Sequence, residues 1–317
     1  MNISVIGVGV YSLAITSALL KNKNNIKIWS HSNDLANEFN NTGMLRSIID
    51  VPLDGVSLVS ENLSQVLLNS DIIYVVTTSE HFTNMINEIK QVYNGCPVCI
   101  LTKGIDNKTG EFFSNLASDI LNTNNIAILS GPGFANDIIN NDIISLTLAS
   151  SSADVINKVS TSIASEKLIL DYTKDIVGLQ LCNSVKNIAA IASGMLESLD
   201  YTNSSNAFLI TKVTNDLMTL LGNYGCEENT VLLAGGLGDL ILTCSSDKSR
   251  NYLFGKNFIN NRTLNTNDTV EGVCALNSLY HSLKSKDIKM NLIDSLYEII
   301  YNYKDVDLLI DYLSKKE

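Results

Sequence analysis

Three charged side chains stand alone in apolar sequence, and together they suggest proton chemistry. Between Ile176 and Met195 the only charge is Lys186, and between Asn229 and Ser246 the only charge is Asp239. Lys103 follows the apolar run Val98–Leu101 and precedes Gly104. On a helix, Lys186 shares its face with Leu179, Cys182, Asn183, Ala189 and Ala190, a surface of small and apolar groups. A solvated lysine normally lies on a polar stripe, and this segment scarcely has one. Burial disfavours the ammonium form, so such an amine becomes a proton acceptor near neutral pH. The bland alternative is a lysine whose stem covers apolar surface while its head reaches water. A lone buried carboxylate is expensive unless paired, which makes Lys186 the natural partner of Asp239. The three charges are expected to converge into one polar constellation as the two halves of the chain fold together.

Three loops carry a second kind of chemistry, anion binding. Gly7-Val-Gly9-Val-Tyr-Ser12 follows an apolar run, Ile3–Ile6, and opens a helical pattern. In a dinucleotide site the first glycine makes the tight turn and the second lets backbone approach a pyrophosphate at the helix N-terminus. Ser12 takes the place of the third glycine, and its small side chain still allows close packing. A dinucleotide site usually offers an acid about 20 residues on, at the end of the second strand. Here that strand ends Trp29-Ser-His31-Ser, with Asp34 further along, so neither an acid nor an arginine decides between NAD and NADP. Ser249-Arg250-Asn251 begins a helical stretch with a capping serine, a guanidinium and an amide, a good set for a phosphate. The arginines are Arg46, Arg250 and Arg262, which makes Arg250 more than a routine surface charge. Ser130-Gly131-Pro132-Gly133-Phe134-Ala135 supplies a backbone nest after another strand.

These residues require elements to hold them. The first half alternates β-rich runs (Ile3–Ile6, Ile26–Trp29, Asp71–Val76, Val98–Leu101, Ile126–Leu129, Ile143–Leu148) with helical or loop segments. Such alternation predicts an α/β fold: a doubly wound, mostly parallel sheet with right-handed crossovers. After about Asp171 the pattern turns helical, over 175–195, 205–223, 248–258, 270–284 and 292–304, with no convincing strand. We therefore expect a dinucleotide-binding domain over 1–172 and an all-α domain over 173–317.

Composition agrees and excludes other classes. With 317 residues, 45% hydrophobic and 17% charged, the chain is long enough for about two domains and too apolar for disorder. A net charge of −11 argues against nucleic acid as a partner. No run approaches the length of a membrane span, and the N-terminus lacks the basic start of a signal peptide. The six cysteines are scattered through apolar runs, which predicts reduced thiols in a cytoplasmic protein. Cys96-Pro-Val-Cys99 has zinc or redox spacing but no second pair or histidine beside it, so no metal site is expected. His81 and His281 fall on ordinary helical stretches.

Five motifs in order resemble the NAD(P)-dependent sn-glycerol-3-phosphate dehydrogenases, along nearly the whole chain. They are Thr102-Lys-Gly-Ile105, Leu129-Ser-Gly-Pro-Gly-Phe-Ala135, Val185-Lys-Asn-Ile-Ala-Ala-Ile-Ala-Ser-Gly194, Gly236-Leu-Gly-Asp-Leu-Ile-Leu-Thr-Cys244 continuing to Ser249-Arg-Asn251, and Val270-Glu-Gly-Val273. The resemblance implies a Rossmann-like domain followed by a helical one. It implies reversible hydride transfer between glycerol 3-phosphate and dihydroxyacetone phosphate with NAD or NADP, supplying glycerol 3-phosphate for phospholipid synthesis in a cytoplasmic homodimer. Lys186 would move the proton of the C2 hydroxyl, with Asn187 beside it. Lys103 and Asp239 would bind and orient the polyol, with Thr243 close by. Ser249, Arg250 and Asn251 would hold the phosphate end, and Gly131 and Gly133 would line the substrate. Gly7, Gly9, Val10, Tyr11, Ser12, His31, Lys103, Ala135, Arg250 and Glu271 match cofactor-contacting positions.

The sequence departs from that family in several places. Val10-Tyr11-Ser12 replaces the usual Ser-Trp-Gly of the glycine turn, His31 replaces an arginine common after the second strand, and Gly133 replaces a serine. Thr77 stands for a proline, and Thr211-Lys-Val213 for Thr-Arg-Gly. Two other readings compete: a ketopantoate or β-hydroxyacid reductase of similar build, and a dinucleotide-binding paralogue without catalysis.

Overall fold

The computed structural model describes residues 1–51, 53–106, 108–264 and 270–314. It divides into two compact units. One comprises Met1–Thr102 and Phe113–Ile176, and the other Lys103–Phe112 and the chain from Val177 onward.

The first unit is built on one eight-stranded sheet. Its strands are β1 (Asn2–Ile6), β2 (Asn25–Trp29), β3 (Val56–Ser60), β4 (Ile72–Val75), β5 (Val98–Ile100), β6 (Ile126–Ser130), β7 (Ile144–Ala149) and β8 (Leu168–Thr173). The order across the sheet is β3-β2-β1-β4-β5-β6-β7-β8, and every neighbouring pair is parallel except β6 with β7. The doubly wound fold expected from strand–helix alternation is therefore present. Central strands β4 and β6 are buried along their whole length, which explains their nearly continuous apolar sequence. The sheet contains two strands that the hydrophobic runs did not reveal, β3 and β8, and both are its edges. Val-Ser-Leu-Val-Ser and Leu-Ile-Leu-Asp-Tyr-Thr mix in polar residues because an edge strand is only partly covered; Ile169 and Tyr172 are about half exposed.

Strand order reverses between β1 and β4, the switch point where such sheets bind ligands beyond their strand ends. The loops after those two strands pass so closely that a Cβ on Gly7 would lie 2.8 Å from the carbonyl oxygen of Val76. Gly7 also has φ +115°, so both space and backbone conformation demand glycine there. Cys96 precedes β5 and Cys99 lies within it; both are buried, and burial pushes the Cys96 thiol up to about 11 and that of Cys99 higher. Burial thus favours the protonated form of both thiols, against the thiolate character of a reactive cysteine.

The second unit is helical, apart from a hairpin closed by an antiparallel bridge between Ile105 and Phe112. Its axis is the helix Ile176–Ser198, of which residues 178–196 are all buried. A helix apolar on every side is stable only when surrounded, and here it is. The helices Asn203–Asn223, Arg250–Asn261, Glu271–Ser285, Asn291–Tyr301 and Asp307–Ser314 complete this unit with shorter turns between them. Two glycines let the axial helix touch the helix Arg250–Asn261 backbone to backbone. A Cβ on Gly194 would meet the Tyr252 oxygen at 2.0 Å, and one on Gly255 would meet the Ile191 oxygen at the same distance. No helix among the described residues is long and apolar enough to cross a membrane.

Candidate active site

Lys103, Lys186 and Asp239 all belong to the second unit, because the short segment Lys103–Phe112 is part of it. The sequence predicts that these charges meet as two halves of the chain fold together; instead all three lie within a single unit. Lys186 is 1% exposed and Asp239 3%, and the Lys186 ammonium donates a hydrogen bond to the Asp239 carboxylate in a buried ion pair. Three influences act on the amine, in two directions. Burial pushes its pKa down, the Asp239 charge pulls it up, and the neighbouring Lys103 side chain pushes it down again. Burial prevails, and the amine is lowered to about 8. The bland reading of Lys186, a stem on apolar surface with its head in water, is excluded by that depth of burial.

Local sequence explains how Asp239 comes to be there. Residues Ala234–Gly238 form one wide π-helical turn, and Asp239 opens the short helix Asp239–Cys244 that follows. Gly236 makes the turn possible, since a Cβ there would lie 2.2 Å from the Val231 oxygen. Widened turns of this kind re-aim a side chain and recur at functional sites. Thr243, one turn along, donates to the Asp239 carbonyl at 2.6 Å, and its hydroxyl lies 3.3 Å from the Asp239 carboxylate.

Beside this pair, the glycine-mediated helix contact brings Ser249-Arg250-Asn251 against the turn that carries Asn187. Ser249 caps the helix Arg250–Asn261 by accepting from the Tyr252 N–H at 3.3 Å. Asn251 donates from Nδ2 to Asn187 Oδ1 at 2.9 Å and accepts the Gly272 N–H on its own Oδ1 at 2.8 Å. Each end of this amide has a partner within the protein, so Asn251 stitches three helices together and is held in place, with its second Nδ2–H not used by these bonds. Gly272 has to be small, because a Cβ would lie 2.6 Å from the Asn187 oxygen. Sequence reasoning missed this bridge; the only trace was a glycine beside Glu271. Asn187 also donates to Glu271 at 3.5 Å, and Arg250 approaches Glu271 at 3.9 Å. With the Arg250 side chain 59% exposed, that pair is loose and leaves the guanidinium accessible to an anion.

The first unit holds the glycine loop. Gly9 caps the helix Val10–Lys21 in extended conformation, and a Cβ added to it would meet nothing within 4 Å. That open space, with no acid in the first helical turn, suits the close approach of a pyrophosphate. Val10 is exposed and Tyr11 partly so. Ser12 is buried and its hydroxyl donates to the Gly7 carbonyl at 2.6 Å, pinning the turn that a third glycine would only have permitted. His31 is exposed just beyond β2. Gly131 is required by packing, since a Cβ would lie 2.9 Å from both Leu146 Cα and the Ser145 oxygen. Gly133 is not, for its nearest neighbour would be a side-chain carbon of Ile144 at 3.4 Å. Ala135 begins the short helix Ala135–Ile139. Among the described residues, no group of three or more His, Cys, Asp or Glu side chains could hold a metal ion.

Two family models cover most of the chain: the NAD-dependent glycerol-3-phosphate dehydrogenase N-terminus over residues 2–156 and the C-terminus of the same enzymes over 175–311. The chain belongs to the NAD-dependent glycerol-3-phosphate dehydrogenase family. Among curated relatives, the glycerol-3-phosphate dehydrogenase [NAD(P)+] of Legionella pneumophila is 31% identical over 80% of this chain and 77% of its own length. That of Colwellia psychrerythraea is 28% identical over 96% and 94%. The crystal structure of glycerol-3-phosphate dehydrogenase from Coxiella burnetii shares the fold with a TM-score of 0.89, at 23% identity and 99% coverage of both chains. Both halves of this glycerol-3-phosphate dehydrogenase family are thus represented, and the ketopantoate-reductase alternative gives way to it.

Proposed function

We propose that the chain interconverts sn-glycerol 3-phosphate and dihydroxyacetone phosphate with NAD or NADP, and that Lys186 is the group that moves the proton. The observation that carries this is a fully buried amine, held by a carboxylate and lowered toward neutrality, in a member of this family. When bound, the nicotinamide takes up or supplies the hydride at C2 of the substrate. In the oxidising direction, neutral Lys186 accepts the C2 hydroxyl proton while the C2–H bond electrons leave as hydride, so that a carbonyl forms. In the reducing direction, protonated Lys186 returns that proton to the developing alkoxide. Asp239 orients the amine through their hydrogen bond, and Thr243 steadies the carboxylate. Lys103 favours the neutral amine by its positive charge and binds the substrate's oxygen atoms.

Arg250 and the N-terminus at Ser249 hold the phosphate, with Asn251 and Asn187 positioning them. Gly7, Gly9, Val10, Tyr11, Ser12 and Ala135 would hold the dinucleotide, and the open space at Gly9 fits that role. The family resemblance assigns Glu271, Arg250, His31 and Lys103 to the cofactor as well, and Gly131 and Gly133 to the substrate. With His31 at the end of β2 and no acid there, discrimination between NADH and NADPH is small. A homodimer and a cytoplasmic role in supplying glycerol 3-phosphate for phospholipid synthesis follow from the same family reading, whereas the single cut expected at 172/173 gives way to two units that exchange residues 103–112. The retained Lys186–Asp239 pair weighs against a catalytically silent paralogue.

The pH profile tests the role of Lys186. Because a base is needed for oxidation and an acid for reduction, kcat/KM for glycerol 3-phosphate is expected to rise through a pH of about 8, while that for dihydroxyacetone phosphate falls through the same region. Limbs running in the same sense in both directions would rule Lys186 out as the proton carrier.

A further inference from the structure

The second unit contains a cavity of about 430 Å³ between the hairpin that follows Lys103 and the helix Glu271–Ser285. Its lining is unusual for so acidic a chain. Two of the 22 lysines and arginines, Lys108 and Lys286, and one of the three histidines, His281, face this one space. Thr109 and Ser282 add hydroxyl groups, and Glu111 contributes a single carboxylate. On a protein of net charge −11, general electrostatics repel anions, so a local concentration of cations is what an anion would need.

The walls are built, not incidental. The Asp106 carboxylate accepts from the Lys108 and Thr109 N–H groups at 3.0 and 2.8 Å and from the Thr109 hydroxyl at 2.9 Å. The Gly110 N–H closes the hairpin on the Asp106 carbonyl at 2.9 Å. Gly110 has φ +71°, and a Cβ there would lie 3.6 Å from Ser282 Cβ, so the hairpin tip rests directly on the helix. On the other side, the Tyr297 hydroxyl lies 3.3 Å from His281 Nε2, fixing the ring. None of the groups assigned to hydride or proton transfer lines the cavity.

We propose that this cavity is a second binding site, for a small phosphate ester that also carries hydroxyl groups. Lys108 and Lys286 supply charge-assisted donors for the phosphate, and the imidazole of His281 adds a polar ring edge beside them. Glu111 weakens the site for a bare polyanion and favours a ligand whose hydroxyl groups donate to it. The volume lies in the range of small-molecule sites.

The test is calorimetric titration with glucose 1-phosphate, a hydroxyl-bearing phosphate ester with no carbonyl to reduce. The whole protein is expected to bind it, and R250A, altered at the proposed substrate phosphate site, is expected to bind it equally well. K108A/K286A is expected to bind about tenfold more weakly or worse, since two charge-assisted contacts are lost. K108R/K286R, which keeps both charges, is expected to bind within a few-fold of the wild type, and equal unfolding midpoints show that the alanine variant is folded. Wild-type affinity in K108A/K286A, loss of binding in R250A, or no binding to the wild type would each overturn the assignment.

Discussion

Replacing Lys186 by alanine is expected to lower kcat by about a thousandfold or more in both directions, within the range attributed to a positioned acid–base group. The effect comes from chemistry and not from loss of the dinucleotide, because the glycine loop belongs to the other unit. NADH binding, followed by fluorescence titration, should therefore survive. Lys186→Arg sharpens the distinction. Arginine keeps the positive charge and reaches as far, but it does not deprotonate in proteins, so it is expected to fail as a base in oxidation. Normal oxidation of glycerol 3-phosphate by Lys186→Arg would show that the charge alone suffices and that Lys186 carries no proton.

The second large effect concerns Asp239. Removing one partner of a buried ion pair leaves the other uncompensated and destabilises by about 3–5 kcal/mol, whereas replacing both by apolar groups is often neutral. Asp239→Ala is therefore expected to lower the unfolding midpoint sharply. Lys186→Met combined with Asp239→Leu should recover much of that loss while remaining inactive. The single variant also shifts the chemistry in a definite direction. Asp239 favours the charged amine, so its loss lowers the Lys186 pKa further, and the pH limbs of residual activity move to lower pH. A double variant as unstable as either single one would mean that neighbouring groups, not their own pairing, hold these two side chains in place.

How much of this was legible in the sequence depended on burial. Strands β4, β5 and β6 could be read because sheet centres are apolar on both faces, whereas β3 and β8 could not because edges are not. Lys186 and Asp239 stood out for the same reason, since a charge in an apolar run has to be either paired or wet. The sequence pointed to their pairing but not to the means. The π-helical turn at 234–238 depends on a backbone approach at Gly236 that no periodicity encodes, and the reading offered only a glycine-rich bend. Ser249-Arg250-Asn251 was recognisable as an anion-binding start to a helix. The engagement of Asn251 with Asn187 and the Gly272 N–H was not, because it depends on the Gly194 and Gly255 contact between helices more than fifty residues apart. The membership of residues 103–112 in the helical unit was equally hidden, since a linear reading cuts the chain only once.

The most direct test of the assigned reaction follows the hydrogen itself. Dihydroxyacetone phosphate is incubated with the protein and NADH or NADPH deuterated at C4 of the nicotinamide on the face that reacts, and the product is examined by mass spectrometry and NMR. The result expected is glycerol 3-phosphate bearing one deuterium, at C2, formed by the wild type and lost in Lys186→Ala. Nicotinamide oxidation without deuterium at C2, or deuterated product formed undiminished by Lys186→Ala, would contradict it.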